Sequence, residues 1–443
     1  MRPHLPSQGP FSLLLLLLTI TNLNLVTAAP PAEFTPNPKV GPSSPSAKFK
    51  DSPHFRLYNP PSDTIATAAL SILEAGYQCF VLDLSWRSPG LSFRGSPPEN
   101  DASYSGPYYK TNIYTVDTLP GAAANTPVDL QLGYPYLNVL TTYLTTPSVT
   151  VHEFGHAMTY AARYWIDQSR TGAWWETIAN FVADTYLTSS VCAPARAKYN
   201  QPSNGNSLID LPKVIGDSFQ VIVDGSKDTG NYYQAWPFLT YMFNNPDNVP
   251  GLGKAIFPGM WLKYKQNSNE TPLHVLDRLV QTAGGGGQRI RDLVGRYWAR
   301  MAFVDIGHPK AQAQFMSQRS KLNYANLDSQ GGNGRYRVKS ARQPRYMGAN
   351  IIPLKGTGNI TVNLTVNNNM PCIATLAVRG SNGVVRYTIL TKGSGQVLVA
   401  GGEEAALVVA NTPDTLYLYD PFSLTSEVSR GLDYQVQISG ASA

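Results

Sequence analysis

Two histidines four positions apart enclose a glutamate: the chain reads His152-Glu153-Phe154-Gly155-His156. Residues at i and i+4 share one helical face, so both imidazoles reach the same ion. Neutral imidazole nitrogen suits zinc, and the carboxylate of Glu153 can take a proton from zinc-activated water and pass it to a leaving group. The pattern predicts a Zn2+ site with Glu153 as general base and acid. The alternative is an ordinary buried helix with two satisfied histidines.

A third protein ligand is needed for a catalytic zinc site. Position 162 is Ala, which excludes the longer motif with a third histidine ten residues after the first. The next carboxylates downstream are Asp167, Glu176 and Asp184. Glu176 lies in the apolar helical stretch 174–180, where desolvation requires that it be paired or bind metal. Glu176 is therefore the predicted third ligand, and the alternative is a buried glutamate satisfied by an arginine.

The set His152, His156 and Glu176 resembles the gluzincins, which combine such a helix with a glutamate ligand from the next one. The separation of His156 from Glu176 is similar to that of thermolysin-like enzymes, and Glu176-xxx-Asn180 resembles their Glu-xxx-Asp motif. The resemblance implies that Asn180 orients the first histidine, with an uncharged amide in place of a carboxylate. Asp184, one turn further on, is the alternative for that role.

Gluzincins stabilise the reacting carbonyl oxygen with a Tyr or His that faces the metal, and the resemblance implies such a residue here. Tyr232 and Tyr233 are the candidates, and His274 and His308 are weaker ones. A tyrosine between apolar neighbours is also a common core residue.

A wider resemblance covers most of the mature chain. It rests on residues 152–156, 174–181, 236–239 and 300–302, which are similar to a family of secreted, mostly fungal proteins of unassigned function. It implies the same zinc architecture without a substrate.

The amino terminus predicts secretion. Arg2 precedes an apolar run with six leucines over residues 13–18, and small residues lead to a cleavage site after Ala28. A signal peptide over 1–28, an extracellular location and no membrane contact after cleavage are expected. Three sequons, starting at Asn269, Asn359 and Asn363, then become acceptor sites for N-glycans. Residues 29–52, rich in Pro, Ser and Ala, predict a flexible linker.

Cysteine usage and charge add two expectations. Of Cys79, Cys192 and Cys372, the first two flank the metal-binding region and are the favoured disulfide. The net charge of +6 is spread over 443 residues without a basic run, which predicts no nucleic-acid partner.

The predicted fold is α+β, with a gluzincin-like metallopeptidase domain followed by a C-terminal β-sandwich. An N-terminal α/β part over 53–145 holds a small mixed sheet, and a helical part over 146–330 holds the zinc site. Short strands at regular spacing predict the sandwich over 331–443, and its tyrosines are the basis for a glycan partner there.

The leading hypothesis is a secreted zinc metallopeptidase acting on peptide or protein substrates, with Glu153 as general base and acid. The alternative is a catalytically silent, zinc-containing secreted protein that binds a cell-wall glycan or a host protein.

Overall fold

The computed structural model describes residues 31–42, 47–94, 107–162, 164–165, 170–203, 205–226 and 229–443. The predicted signal peptide over 1–28, and Asp167, lie outside the described residues.

The amino-terminal part is a mixed sheet flanked by helices. Its strands are β1 (Phe49–Asp51), β2 (Phe55–Tyr58), β3 (Thr111–Val116), β4 (Ala124–Asn125), β5 (Val128–Asp129) and β6 (Tyr134–Leu140). The order is β1-β2-β3-β6-β4, and β5 also pairs with β6. The β2–β3 and β3–β6 pairs are parallel, whereas the others are antiparallel. Helix α1 (Asp63–Tyr77) makes the crossover between β2 and β3, as parallel neighbours require.

Part of the segment expected to be a flexible linker over residues 29–52 is packed on this sheet. Phe34 is buried and its ring meets that of Tyr77 edge to face, with 5.8 Å between the centroids. The carbonyl of the buried Val40 accepts a hydrogen bond of 2.6 Å from the Tyr114 hydroxyl. The linker prediction is wrong for these residues, because two anchoring apolar side chains are hidden in an otherwise polar average composition.

The helical part follows the sheet. Its helices are α2 (Pro147–Ala161), α3 (Trp175–Thr188), α4 (Ala193–Lys198), α5 (Asn231–Gln234), α6 (Trp236–Asn244), α7 (Ile256–Lys263), α8 (Pro272–Ala283), α9 (Ile290–Met301) and α10 (Pro309–Gln318). Helices α2 and α3 pack closely, because a Cβ on Gly155 would lie 2.9 Å from the Ala179 Cα. A glycine within the histidine motif thus sets the spacing of the two helices that carry the candidate ligands.

The predicted disulfide is confirmed: Cys79 is bonded to Cys192, 113 positions along the chain. The bond ties the helical turn after α1 to the start of α4, and Cys372 is free. The stretch Asp63–Asp83 has the length and apolar composition of a membrane span, but 67% of its most apolar window is buried inside the protein, as in a core helix.

The carboxyl-terminal part contains two antiparallel sheets. Its elements are β7 (Leu327–Ser329), β8 (Arg335–Val338), β9 (Ala349–Leu354), β10 (Gly358–Val366), β11 (Cys372–Arg379), β12 (Val385–Ile389), β13 (Ser394–Val399), β14 (Glu404–Asn411), α11 (Ser426–Ser429) and β15 (Tyr434–Ser439). One sheet has the order β13-β10-β15-β8-β7 and the other β12-β11-β14-β9. Side chains from both sheets share one apolar cluster, which includes Val362, Leu376, Leu407 and Val436. Strand β7 begins before residue 331, so this part starts slightly earlier than expected.

The second of these sheets is also packed against the helical part. Helix α9 lies on it so closely that a Cβ on Gly295 would come within 2.8 Å of Ile373. The Trp298 indole donates a 2.7 Å hydrogen bond to the Met347 carbonyl. The α+β prediction is confirmed, and the carboxyl-terminal part is continuous with the core of the helical part.

Candidate metal centre

Three side chains converge between α2 and α3. His152 and His156 come from successive turns of α2, and Glu176 comes from the first turn of α3. The Glu176 Oε2 lies 3.0 Å from His152 Nε2 and 3.4 Å from His156 Nε2. The two histidine Nε2 atoms are 3.1 Å apart. The helical spacing and the following helix therefore bring all three predicted ligands together.

These distances fit a single tetrahedral zinc ion. Ligands at 2.0–2.1 Å from zinc and at the tetrahedral angle lie about 3.3 Å from one another. The three observed separations, 3.0, 3.1 and 3.4 Å, bracket that value. Two imidazoles and one carboxylate are also the donor set of catalytic zinc sites. His152, His156 and Glu176 could thus hold the ion without rearrangement.

A hydrogen bond fixes the tautomer of His152, and packing orients the ring of His156. His152 Nδ1 lies 2.9 Å from the Asn180 Oδ1, an oxygen that can only accept, so Nδ1 carries the proton and Nε2 presents a lone pair. The His156 ring stacks on the Trp175 indole with 4.3 Å between centroids. Its buried Nδ1 has no hydrogen-bond partner among the described residues. Asn180 therefore lies where the resemblance implied, and Trp175 orients the second histidine by packing.

The charges of the cluster are coupled. Burial alone would lower the pKa of His152, but the hydrogen bond and charge of Glu176 outweigh it and raise that pKa. Burial would likewise raise the pKa of Glu176, but hydrogen bonds from both histidines lower it well below its usual range. Without an ion, the carboxylate is therefore charged and paired with histidine.

Glu153 is buried one residue after the first histidine. Its Oε2 accepts a 2.6 Å hydrogen bond from the Thr126 hydroxyl, which also lies 3.0 Å from the Glu153 carbonyl oxygen. Thr126 occupies the short loop between β4 and β5. Sequence reasoning missed it, because no local pattern connects a threonine to a glutamate on a later helix.

Of the two candidate tyrosines, Tyr233 faces the cluster. Burial is the largest cause that raises the pKa of the Tyr233 phenol. The charge of Glu176, a hydrogen bond with Glu176 and the charge of Glu153 raise it further. The side chain is 38% exposed, so it lies at the open side of the site. Tyr232 is its neighbour, with 5.4 Å between ring centroids. Burial, ahead of the charge of Glu176, also raises the pKa of Tyr232.

Asp184, His274 and His308 lie outside this site. Asp184 cannot replace Asn180, because its carboxylate is buried and lies 2.5 Å from His308 Nε2. His308 is occupied by that contact and caps α10. His274 caps α8 together with Thr271. Each of these two histidines therefore has a structural role.

A loop of the carboxyl-terminal part lies next to the candidate tyrosines. The Phe422 ring lies 6.1 Å from that of Tyr232 and is 47% exposed. The Pro421 carbonyl accepts a 2.9 Å hydrogen bond from the Gly225 N–H, and a Cβ on Gly225 would lie 2.6 Å from the Phe422 ring. Sequence reasoning missed Phe422, because only the tertiary fold brings it to the tyrosines.

The fold and site together define an α+β protein with a three-ligand candidate metal centre. Residues 66–369 match the model of a family of unknown function (DUF6055), which is more than half of the chain. The chain therefore belongs to that family.

Two solved structures are similar at a low level. The M60 catalytic domain of ZmpC from Clostridium perfringens, in complex with the sialyl T antigen, is 14% identical, with 85% of this chain and 69% of that one covered and a TM-score of 0.32. The ZmpB metallopeptidase from Clostridium perfringens is 14% identical, with 84% and 69% covered and a TM-score of 0.30. No curated protein matches the chain.

Proposed function

We propose that the chain is a secreted, zinc-dependent metallopeptidase of the gluzincin type, acting on peptide or protein substrates. The observation that carries the proposal is the convergence of His152 Nε2, His156 Nε2 and Glu176 Oε2 at separations of 3.0 to 3.4 Å. The Cys79–Cys192 disulfide supports an extracellular location, because disulfides persist in oxidising compartments. We take the two carboxyl-terminal sheets as a β-sandwich, and the loop between β14 and α11 brings Phe422 next to Tyr232.

Each residue near the cluster has a role in this proposal. When bound, zinc acts as a Lewis acid on a carbonyl oxygen and lowers the pKa of a water molecule. Glu153, held by Thr126, takes the proton of the attacking water and delivers it to the leaving amine. Tyr233 keeps its proton, because burial and two carboxylates raise its pKa, and donates a hydrogen bond to the developing oxyanion.

The test is a peptide-library digest by the purified full chain together with its zinc content. We expect one zinc per chain and cleavage of some peptides. Glu153→Gln should lower kcat by about 100-fold to 10,000-fold and leave zinc bound. Glu427→Gln, at an exposed position of α11, is the matched control and should leave both unchanged. Zinc without cleavage of any peptide would favour a silent binding protein, and an undiminished kcat of Glu153→Gln would refute the assigned mechanism.

A further inference from the structure

Asn180 uses both ends of its amide group. Its Oδ1 lies 2.9 Å from His152 Nδ1, and its Nδ2 donates a 2.8 Å hydrogen bond to the Tyr233 carbonyl oxygen. The Tyr233 carbonyl fixes the orientation of the amide, because a carbonyl can only accept, and the amide oxygen therefore faces the His152 ring. One side chain therefore joins a candidate metal ligand to the backbone of the tyrosine that faces it.

Helix α5 is short and is stabilised by contacts with α3. It is a single turn over Asn231–Gln234 and begins after Gly230, whose φ is 78°. One turn of helix is unstable by itself. Side chains of α3 hold it: the Thr177 hydroxyl lies 2.8 Å from the Tyr232 carbonyl oxygen and 3.3 Å from that of Asn231, and Asn180 donates to the Tyr233 carbonyl.

We propose that Asn180 is a positioning residue that sets Tyr233 against the metal ligands, an inference that rests on the proposed peptidase function. An aspartate could still accept from His152 Nδ1, but its second oxygen would face the Tyr233 carbonyl without a hydrogen between them. The amide thus retains histidine orientation and adds a contact that a carboxylate lacks.

The proposal predicts that two substitutions separate the two contacts. Asn180→Ala removes both, and we expect its zinc affinity to fall by about 10-fold to 100-fold, as when other partners of metal-binding histidines are removed. Asn180→Asp keeps the acceptor for His152, and its zinc affinity should stay within about threefold of the natural protein or increase. Competition with a chromophoric chelator measures both values, and circular dichroism checks that each variant is folded.

The position of Tyr233 is measured by 19F NMR of the full chain labelled with 3-fluorotyrosine. The Tyr233 resonance is the one missing from Tyr233→Phe. In Asn180→Asp we expect it to shift as it does in Asn180→Ala, although the zinc affinity is retained. Asn323→Asp, at an exposed position, is the control and should leave the resonance unchanged.

The outcomes distinguish this inference from the function on which it rests. An unchanged Tyr233 resonance in Asn180→Asp would overturn the positioning role, even if the natural protein cleaves peptides. Absence of cleavage would refute the peptidase, whereas the zinc and resonance measurements need no substrate. Where a substrate is cleaved, Asn180→Asp and Tyr233→Phe should lower kcat non-additively, and additive losses would contradict the link.

Discussion

Helix α3 carries two carboxylates that contact histidines, Glu176 and Asp184. The two sites differ in how many of their polar atoms have hydrogen-bond partners within the protein. Asp184 Oδ1 accepts from the Ser207 hydroxyl at 2.9 Å and from the Leu208 N–H at 2.7 Å. Asp184 Oδ2 lies 2.5 Å from His308 Nε2, and His308 Nδ1 accepts from the Ala311 N–H at 3.1 Å. Both carboxylate oxygens of Asp184 and both ring nitrogens of His308 thus have partners within the protein, and we call these two residues the closed pair.

The cluster of Glu176 with His152 and His156 is arranged differently. Its three ligand atoms face one another, and His152 holds its proton on the far side, toward Asn180. Like the closed pair, it contains histidine and carboxylate, so residue type does not separate the two. Convergence of lone pairs on one point is what makes the first cluster a candidate metal site, and saturation of every partner gives the second a structural role.

The largest expected difference between the two sites is in metal binding. His156→Ala removes a ligand and should weaken zinc binding more than about 100-fold, because loss of even an indirect partner costs 10-fold to 100-fold. His308→Ala should retain one zinc per chain. Elemental analysis after dialysis against a weak chelator measures both. Equal zinc loss in the two variants would break the comparison.

The free energy of unfolding should fall more on substitution of Asp184 than on substitution of Glu176. In excess chelator near about pH 8, Asp184→Asn should lower the free energy of unfolding by about 3 kcal/mol, because the new amide hydrogens face the Ser207 or His308 donors inside the protein. Glu176→Gln should cost less, because the contribution of its ion pair with His152 declines as the pH rises through the raised pKa of that histidine. Urea unfolding of both metal-free variants measures the difference, and a larger loss in Glu176→Gln would contradict the assignment.

The cluster of His152, His156 and Glu176, which we call the open cluster, was predictable because its residues lie close together in the chain. Helical spacing places His152 and His156 together, and the apolar setting of Glu176 identifies a carboxylate that needs partners. The resemblance to the gluzincins implied Asn180, and the positions of Cys79 and Cys192 on either side of the metal-binding region led to the disulfide. The α+β class followed from the change from helical to alternating patterns near Arg335, about where the last quarter of the chain begins.

The closed pair was not predictable, because His308 lies 124 positions after Asp184 and no local pattern links them. Asp184 shares a helical face with Asn180, but one turn displaces its carboxylate by about 6 Å, beyond the reach of His152. Thr126 and Phe422 reach the site through long-range folding, so their residue types alone gave no signal. Phe34 and Val40 were hidden by the polar composition around them.

Acidity should affect the metal-free open cluster in a defined window. Its ion pair contributes stability above the ordinary Glu pKa of 4.5, since the pKa of Glu176 is lowered, and below the ordinary His pKa of 6.5, since that of His152 is raised. The contribution is lost as the pH rises through the raised pKa of His152, and as it falls through the lowered pKa of Glu176.

We therefore expect the stability difference between the natural protein and Glu176→Gln, in chelator, to be largest near about pH 5.5 and to decline toward about pH 9. Urea unfolding across this range measures it, with Glu427→Gln as a control whose difference should stay flat. A difference that grows toward alkaline pH would show that the pair does not form.

The smallest expected effect comes from the loss of one hydrogen bond in each site. Thr126→Val removes the donor to Glu153 Oε2 while it keeps the side-chain shape, and Ser207→Ala removes a donor to Asp184 Oδ1. Each loses a hydrogen bond to a carboxylate, which costs about 1.5–3 kcal/mol of stability. Only Thr126→Val should also lower kcat, by about tenfold, because the general base is no longer held in place.

Thr126→Ser should restore that rate, because the hydroxyl returns to the same carboxylate. A structural role of Thr126 would instead lower stability alone and leave kcat per folded molecule unchanged, as expected for Ser207→Ala. Steady-state kinetics at saturating substrate, corrected for the folded fraction, separate the two cases. A fall in kcat for Ser207→Ala equal to that for Thr126→Val would mean that the closed pair also acts on the reacting groups.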